Sequence, residues 1–122
     1  MSEVKQQQYE YSAPANAVMS PVNIRPGRLF YGDKALEFRS TSGGYILIPW
    51  RNVDYISFEI IWGFYYRGFV VKTTEGQQFE FIGGHGRHAS TIMRKYLKAK
   101  QLRRRKSAFE RMKIRWQAKK TS

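Results

Sequence analysis

The sequence predicts an α+β, mainly β domain: six or seven antiparallel strands bent into a barrel and capped by a C-terminal helix, with a basic helical extension. Three observations carry this expectation. Apolar residues alternate with period two between turn signals from about residue 28 to residue 82. The period then changes to 3.6, with Ile92, Met93, Tyr96 and Leu97 forming one stripe. Finally, thirteen Lys and Arg stand between Arg94 and Lys120 against one acid, Glu110, while the rest of the chain holds nine basic and eight acidic residues. The net charge of +13 is therefore a property of the last segment, and the body is nearly neutral.

Residues 1–16, Gln-rich and then "SAPANA", read as a disordered leader. "AVMSPV" reads as a short edge strand, since Pro21 would not suit a central one. "RLFY" runs into a tight turn at Gly32-Asp33 and returns as "KALEFR", with Leu36 and Phe38 on one face. "STSGG" turns the chain into "YILIPW", where Ile46 and Ile48 alternate with Tyr45 and Leu47. Pro49 ends that ladder because it has no N–H to give. "DYISFEII" places Ile56, Phe58 and Ile60 on one face. "FYYRGFVVKTT" returns with Gly68 as a bend, and "EGQ" turns into "QFEFI".

A glycine-rich passage, "GGHGRHAS", leads into a helix of about three turns from Arg87 to Lys98. A curled sheet leaves one open end, and an amphipathic helix after the last strand plugs it. This is the pleckstrin-homology or GRAM type of architecture, expected over residues 17–98, with a sheet carrying one helix on an open face as the rival. Residues 99–122 form the tail. Leu102, Phe109, Met112 and Trp116 share one side of a helix there, and no Gly or Pro follows Gly86, so a basic amphipathic helix is expected.

Composition narrows the chemistry. Without cysteine, disulfides and thiolate catalysis are excluded. Two histidines alone do not make a dedicated zinc site, and neither a metal nor a cofactor is expected. The N-terminus lacks the apolar core of a secretory signal. The longest apolar run, "YISFEIIWGFYY", falls short of the roughly 20 residues of a spanning helix. A cytoplasmic protein, peripheral at the inner face of the membrane, is expected.

Three groups of residues are candidates for binding. Trp62, Phe64 and Tyr66, at a hairpin end, suit a partner or a membrane interface, or else fill the barrel mouth. In the tail, Arg103, Arg104, Arg105, Lys106, Arg111, Lys113, Arg115 and Trp116 suit an acidic surface. Gly84, Gly86, Arg87 and His88, at a helix N-terminus, have the chemistry to hold a phosphate or carboxylate. His85 and His88 also have the spacing of a metal pair, but no third ligand accompanies them. The plainer reading is a glycine-rich helix entry. Trp50 reads as a closing residue of the core.

The stretch "GRLFYGDKALEFRSTSGGYILIPWRNVDYISFEI" resembles the ManO family, small bacterial proteins encoded beside mannose-class permeases of the phosphotransferase system in Gram-positive bacteria. Members look like "GDKGFEF", a gap, then "IQIPWEEVDYV". Gly32, Asp33, Lys34, Glu37 and Phe38 stand in the first piece here, and Ile46, Ile48, Pro49, Trp50, Val53, Asp54 and Tyr55 in the second. "RGFVVKTTEGQQFEF" and "IMRKYL" extend the resemblance to most of the chain. It implies a pleckstrin-homology-like fold, no catalytic residues, and a regulatory or accessory role in mannose-family sugar uptake.

The expected function is thus a non-catalytic accessory or regulatory protein of that uptake system. It would bind a protein partner, permease subunits among the candidates, or the anionic membrane surface, with a homo-oligomer left open. The alternative is a nucleic-acid-binding operon regulator using the basic arm. Helix-turn-helix, RNP and zinc patterns are missing, so such binding would be non-specific. An enzyme ranks last, because no nucleophile–base pair or phosphate loop is legible.

Overall fold

Turn chemistry sets the strand ends in the computed structural model, which describes residues 8–61 and 65–106. The strands are β1 (Tyr9–Ser20), β2 (Asn23–Gly32), β3 (Ala35–Ser40), β4 (Tyr45–Pro49), β5 (Val53–Ile61), β6 (Tyr65–Thr73), β7 (Gln78–Gly83) and β8 (Leu102–Lys106), with helix α1 (Arg87–Tyr96) between the last two. The β3–β4 turn uses Gly43 and Gly44 at positive φ, 98° and 82°, and the β6–β7 turn uses Gly76 at 89°. L-residues with a Cβ rarely adopt that region.

All eight strands form one sheet in the order β4-β3-β2-β1-β7-β6-β5-β8. Every pairing is antiparallel except β5–β8, which is parallel from Ile56↔Leu102 to Ile60↔Lys106. This corrects the expected six- or seven-stranded barrel. The sheet is mainly β and bent but not closed, and its terminal strands are β4 and β8.

Two glycines make the bends. A Cβ at Gly27 would stand 2.2 Å from the Arg39 carbonyl oxygen, and one at Gly68 2.1 Å from that of Phe81. Both strands therefore approach a neighbour more closely than any side chain permits. Beside Gly68 the β5–β6 register slips, so that Glu59 faces Gly68 and Ile60 faces Tyr66. Arg67 is the extra residue of this bulge.

The bent sheet and α1 enclose one core. Tyr31, Leu29, Leu36, Ile56, Phe69, Val71, Phe81 and Met93 are fully buried in it. The helix contributes Ala89, Ile92 and Met93, the face its periodicity marks. Arg94 and Lys95 occupy its last turn, where cations suit the helix dipole. It ends at Tyr96, before the expected Lys98, because Leu97 turns extended and is buried in the core. Trp50 is buried as expected. Its Nε1 donates to the Gly32 carbonyl at 2.8 Å, and its ring stacks on Tyr96 with centroids 5.6 Å apart.

Two boundaries differ from expectation. Residues read as a disordered leader to position 16 belong to β1, which begins at Tyr9. Pro14 is tolerated because it stands just beyond the β1–β7 ladder, which runs from Ala15 to Val18. The first part of the expected helical tail is instead a strand, β8. The Gln101 side chain donates to the carbonyls of Val53 and Asp54, and this aligns residues 102–106 with the free edge of β5. The rest of the tail, from residue 107, lies outside the described residues.

Candidate functional site

The β7–α1 connection shapes the site. Gly83 and Gly84 both take positive φ, 78° and 69°. A Cβ on Gly84 would meet Leu29 Cδ1 at 2.5 Å and Ala15 Cβ at 2.8 Å, so glycine is required on steric as well as backbone grounds. The buried Tyr31 hydroxyl donates to the Gly84 carbonyl at 2.5 Å and pins the turn from below. Burial also raises the Tyr31 pKa, which keeps that hydroxyl a donor.

His85 then turns inward among aromatic rings. Its centroid lies 4.5 Å from Phe58, 5.1 Å from Tyr66 and 6.0 Å from Phe69. Burial lowers its pKa to about 4, so the ring is neutral at physiological pH. Its Nδ1 is buried and has no hydrogen-bond partner among the described residues.

In front of His85 a cleft of about 430 Å³ opens between α1, the β5–β6 surface and β8. Phe58, Leu97 and Leu102 supply apolar wall; Arg94, Arg104, Ser90 and Tyr66 supply polar groups. A second recess of about 390 Å³ adjoins it, sharing Tyr66, His85, Ser90 and Arg94 and adding Gly86, Arg87 and Thr91. Arg87, Ser90, Thr91 and Arg94 lie at helical spacing, so one face of α1 presents them together. Among the described residues no Asp or Glu lines either recess. The Tyr66 hydroxyl accepts from Arg104 Nη2 at 2.6 Å, which holds that guanidinium over the opening.

The strand period divides the basic residues of β8. Arg104 and Leu102 face the cleft, whereas Arg103 lies over the Tyr55 ring, its Cζ 4.0 Å from the centroid. Arg105 and Lys106 belong to β8, with side chains outside the description. Trp62, Phe64, Arg111, Lys113, Arg115 and Trp116 also lie outside the described residues.

The glycine-turn group is split. Gly86 and Arg87 line the second recess. Gly84 packs on Leu29 and Ala15, and His88 stacks on Tyr11 at 5.6 Å. Sequence reasoning passed over His85, Ser90, Arg94 and Arg104 as a group. The signal available was the seven-residue spacing of Arg87 and Arg94, two turns of a helix whose opposite face is apolar.

Among the described residues no group of three His, Asp or Glu gathers as a metal site, and no helix is long and apolar enough to cross a membrane. The assembled groups can bind and orient an anion. A neutral imidazole with a pKa of about 4 is a weak base, and the cleft offers it no carboxylate partner.

Known structures share this architecture. The C-terminal domain of an unknown protein from Leishmania infantum superposes with a TM-score of 0.65 at 19% identity, covering 80% of this chain and 91% of that one. The Spt16D–Pob3N heterodimer matches with a TM-score of 0.55 at 10% identity over 83% of this chain and 58% of that one. The linker-DH/PH region of p115-RhoGEF matches with a TM-score of 0.51 at 11% identity over 75% of this chain and 27% of that one. At such identities the likeness concerns the fold alone, and the fold is pleckstrin-homology-like. The chain thus spans just over half of the second of these chains and about a quarter of the third. No curated protein matches it. Residues 1–116 match the family DUF956, a domain of unknown function, and the chain belongs to it.

Proposed function

We propose that this chain is a non-catalytic docking module of the ManO type, an accessory or regulator of a mannose-class phosphotransferase permease in Gram-positive bacteria. It works at the inner face of the membrane, with an acidic surface of the permease subunits as its partner. The observation that carries this reading is β8. A strand of consecutive basic residues occupies the free edge of the sheet, with Arg103 and Arg104 exposed, in a chain whose charge excess lies almost wholly from Arg94 onward. A basic edge repels a second copy of itself and attracts an acidic partner.

The residues of the resemblance support a binding role rather than a reactive one. The Trp50 backbone N–H donates to Lys34 at 3.0 Å and its ring N–H to Gly32, so the "GDK" and "IPW" pieces meet in one buried junction. The motif is a fold determinant.

The test is a pull-down from solubilised membranes of a bacterium with such a permease. The full chain is compared with a variant carrying Arg103→Gln, Arg104→Gln, Arg105→Gln and Lys106→Gln. Permease subunits should be captured by the first and reduced at least tenfold with the second. The same pair is assayed on anionic vesicles, where each basic residue near the surface contributes about 1 kcal/mol, and on duplex DNA. Equal capture by both chains would refute the role of β8. Sequence-dependent DNA binding at physiological salt would favour the operon-regulator reading instead.

A further inference from the structure

We infer that the cleft between α1 and β8 is a binding site for a small organic anion, a phosphate or carboxylate carried on a flat apolar body. This inference does not rest on the docking role above. Two recesses of about 430 and 390 Å³ meet at Tyr66, His85, Ser90 and Arg94, a size that suits a small molecule. Their walls divide the ligand into two parts. Phe58, Leu97 and Leu102 face the inner part, and the Phe58 and Tyr66 rings offer a surface for a planar group. Arg87, Arg94 and Arg104 stand around the outer part, with Ser90 and Thr91 hydroxyls on the same helix face.

Several basic side chains of the described surface have an acidic partner. Arg39 pairs with Glu37, Arg67 with Glu59 and Glu80, and Lys95 with Glu10. The cleft has guanidiniums from two elements and, among the described residues, no lining carboxylate. An incoming anion supplies the missing countercharge, and the arginine fork matches a phosphate or carboxylate in two hydrogen bonds. A second feature is His85, a residue of the cleft wall whose buried Nδ1 lacks a partner among the described residues. A buried polar atom without a partner is rare in a folded chain. The open space beside Gly86, where an added Cβ would meet nothing within 4 Å, leaves room for the anionic group.

Calorimetry with the full chain at physiological salt tests the inference. The probes are phenyl phosphate, benzoate, inorganic phosphate and glycerol phosphate. Saturable one-site binding of phenyl phosphate or benzoate is expected, and whichever binds tighter names the anion. Inorganic phosphate and glycerol phosphate should bind at least tenfold more weakly, since they leave the aromatic wall unused. Arg94→Gln should weaken binding at least tenfold. Arg28→Gln, whose side chain is bonded to Ser12 away from the cleft, should leave it unchanged. In the unaltered protein the His85 ring resonances should shift on saturation, a readout that needs no variant. The site is refuted by any of three results: no saturable binding, inorganic phosphate matching the aromatic probes, or Arg28→Gln weakening binding as much as Arg94→Gln. The last would mark diffuse attraction to a chain of net charge +13.

Discussion

The two flanks of α1 carry similar side chains in opposite electrical states. On one flank Lys95 and the Tyr96 hydroxyl both donate to the Glu10 carboxylate, Tyr96 stacks on Trp50, and His88 stacks on Tyr11. Each of these groups has a partner, on β1 or at Trp50 just after β4. On the other flank Arg87 and Arg94 face a cleft without an acid among the described residues, and the buried histidine nitrogen behind them has no partner among them either. The first flank holds the helix to β1; the second is arranged for something that arrives. Adjacent residues, Arg94 and Lys95, fall on opposite sides of this division. Net charge therefore locates function poorly, and charge left without a countercharge locates it better.

If that division holds, perturbing the paired flank costs stability, and perturbing the cleft costs binding. The largest effect is expected at Trp50. Trp50→Ala removes a buried ring, its stack on Tyr96 and its bond to Gly32, and should lower unfolding stability by about 3–5 kcal/mol in urea titrations. Phenyl phosphate affinity of the folded fraction should stay the same.

Next comes the acid response of His85. The unfolded ring protonates near its ordinary 6.5, whereas the folded one resists until about 4. Between those values the unfolded state binds more protons, so stability falls as the solution is acidified, by at most about 1.4 kcal/mol per pH unit. His85→Asn should flatten this limb, and phenyl phosphate should raise the pH at which the ring titrates in NMR. An unchanged slope in the variant would assign the acid response to other groups.

Arg94→Gln should shift unfolding stability by less than about 0.5 kcal/mol, as expected for an exposed residue without an ion pair. A larger loss would move Arg94 to the structural flank. The smallest effect is spectroscopic. The Glu10 carboxylate holds the Tyr96 phenol up at about 12, and its bonds from Lys95 and Tyr96 lower its own pKa. Glu10→Gln should return Tyr96 toward 10 in an ultraviolet titration, with little change in stability for so exposed a pair.

Much of the fold was legible because its signals are local. Gly32-Asp33, Ser40–Gly44 and Glu75-Gly76 mark turns within a few residues, and the change of period at Arg87 marks the helix. β1 was misjudged because "YEYSAPANA" is polar and contains Pro14. What orders it is distant: β2, β7, and Lys95, 85 residues away from Glu10. β8 was misjudged for a related reason. "LRRRK" has no strand preference of its own, and the free edge of β5 and the bonds from Gln101 decide its conformation. The cleft draws His85 from a turn, Arg94 from a helix and Arg104 from a strand; all three stand between His85 and Arg104, but Phe58 and Tyr66 come from β5 and β6, and only the fold brings that stretch against them. Its local marks were the glycine-rich entrance and the seven-residue spacing of Arg87 and Arg94.

The parallel pairing of β8 with β5 also fixes an order of assembly during synthesis. β1–β4 and β5–β7 are meanders of neighbouring strands, whose short loops close cheaply as the chain emerges. The seam between them, Ala15↔Gly83 to Val18↔Glu80, must wait for β7. The β5–β8 seam waits longer still, since Ile56 meets Leu102 only after the helix has been made. A growing chain thus exposes first the edge of β1 and then that of β5, and the strand bearing Arg104 seals the second of these as the cleft takes its final shape.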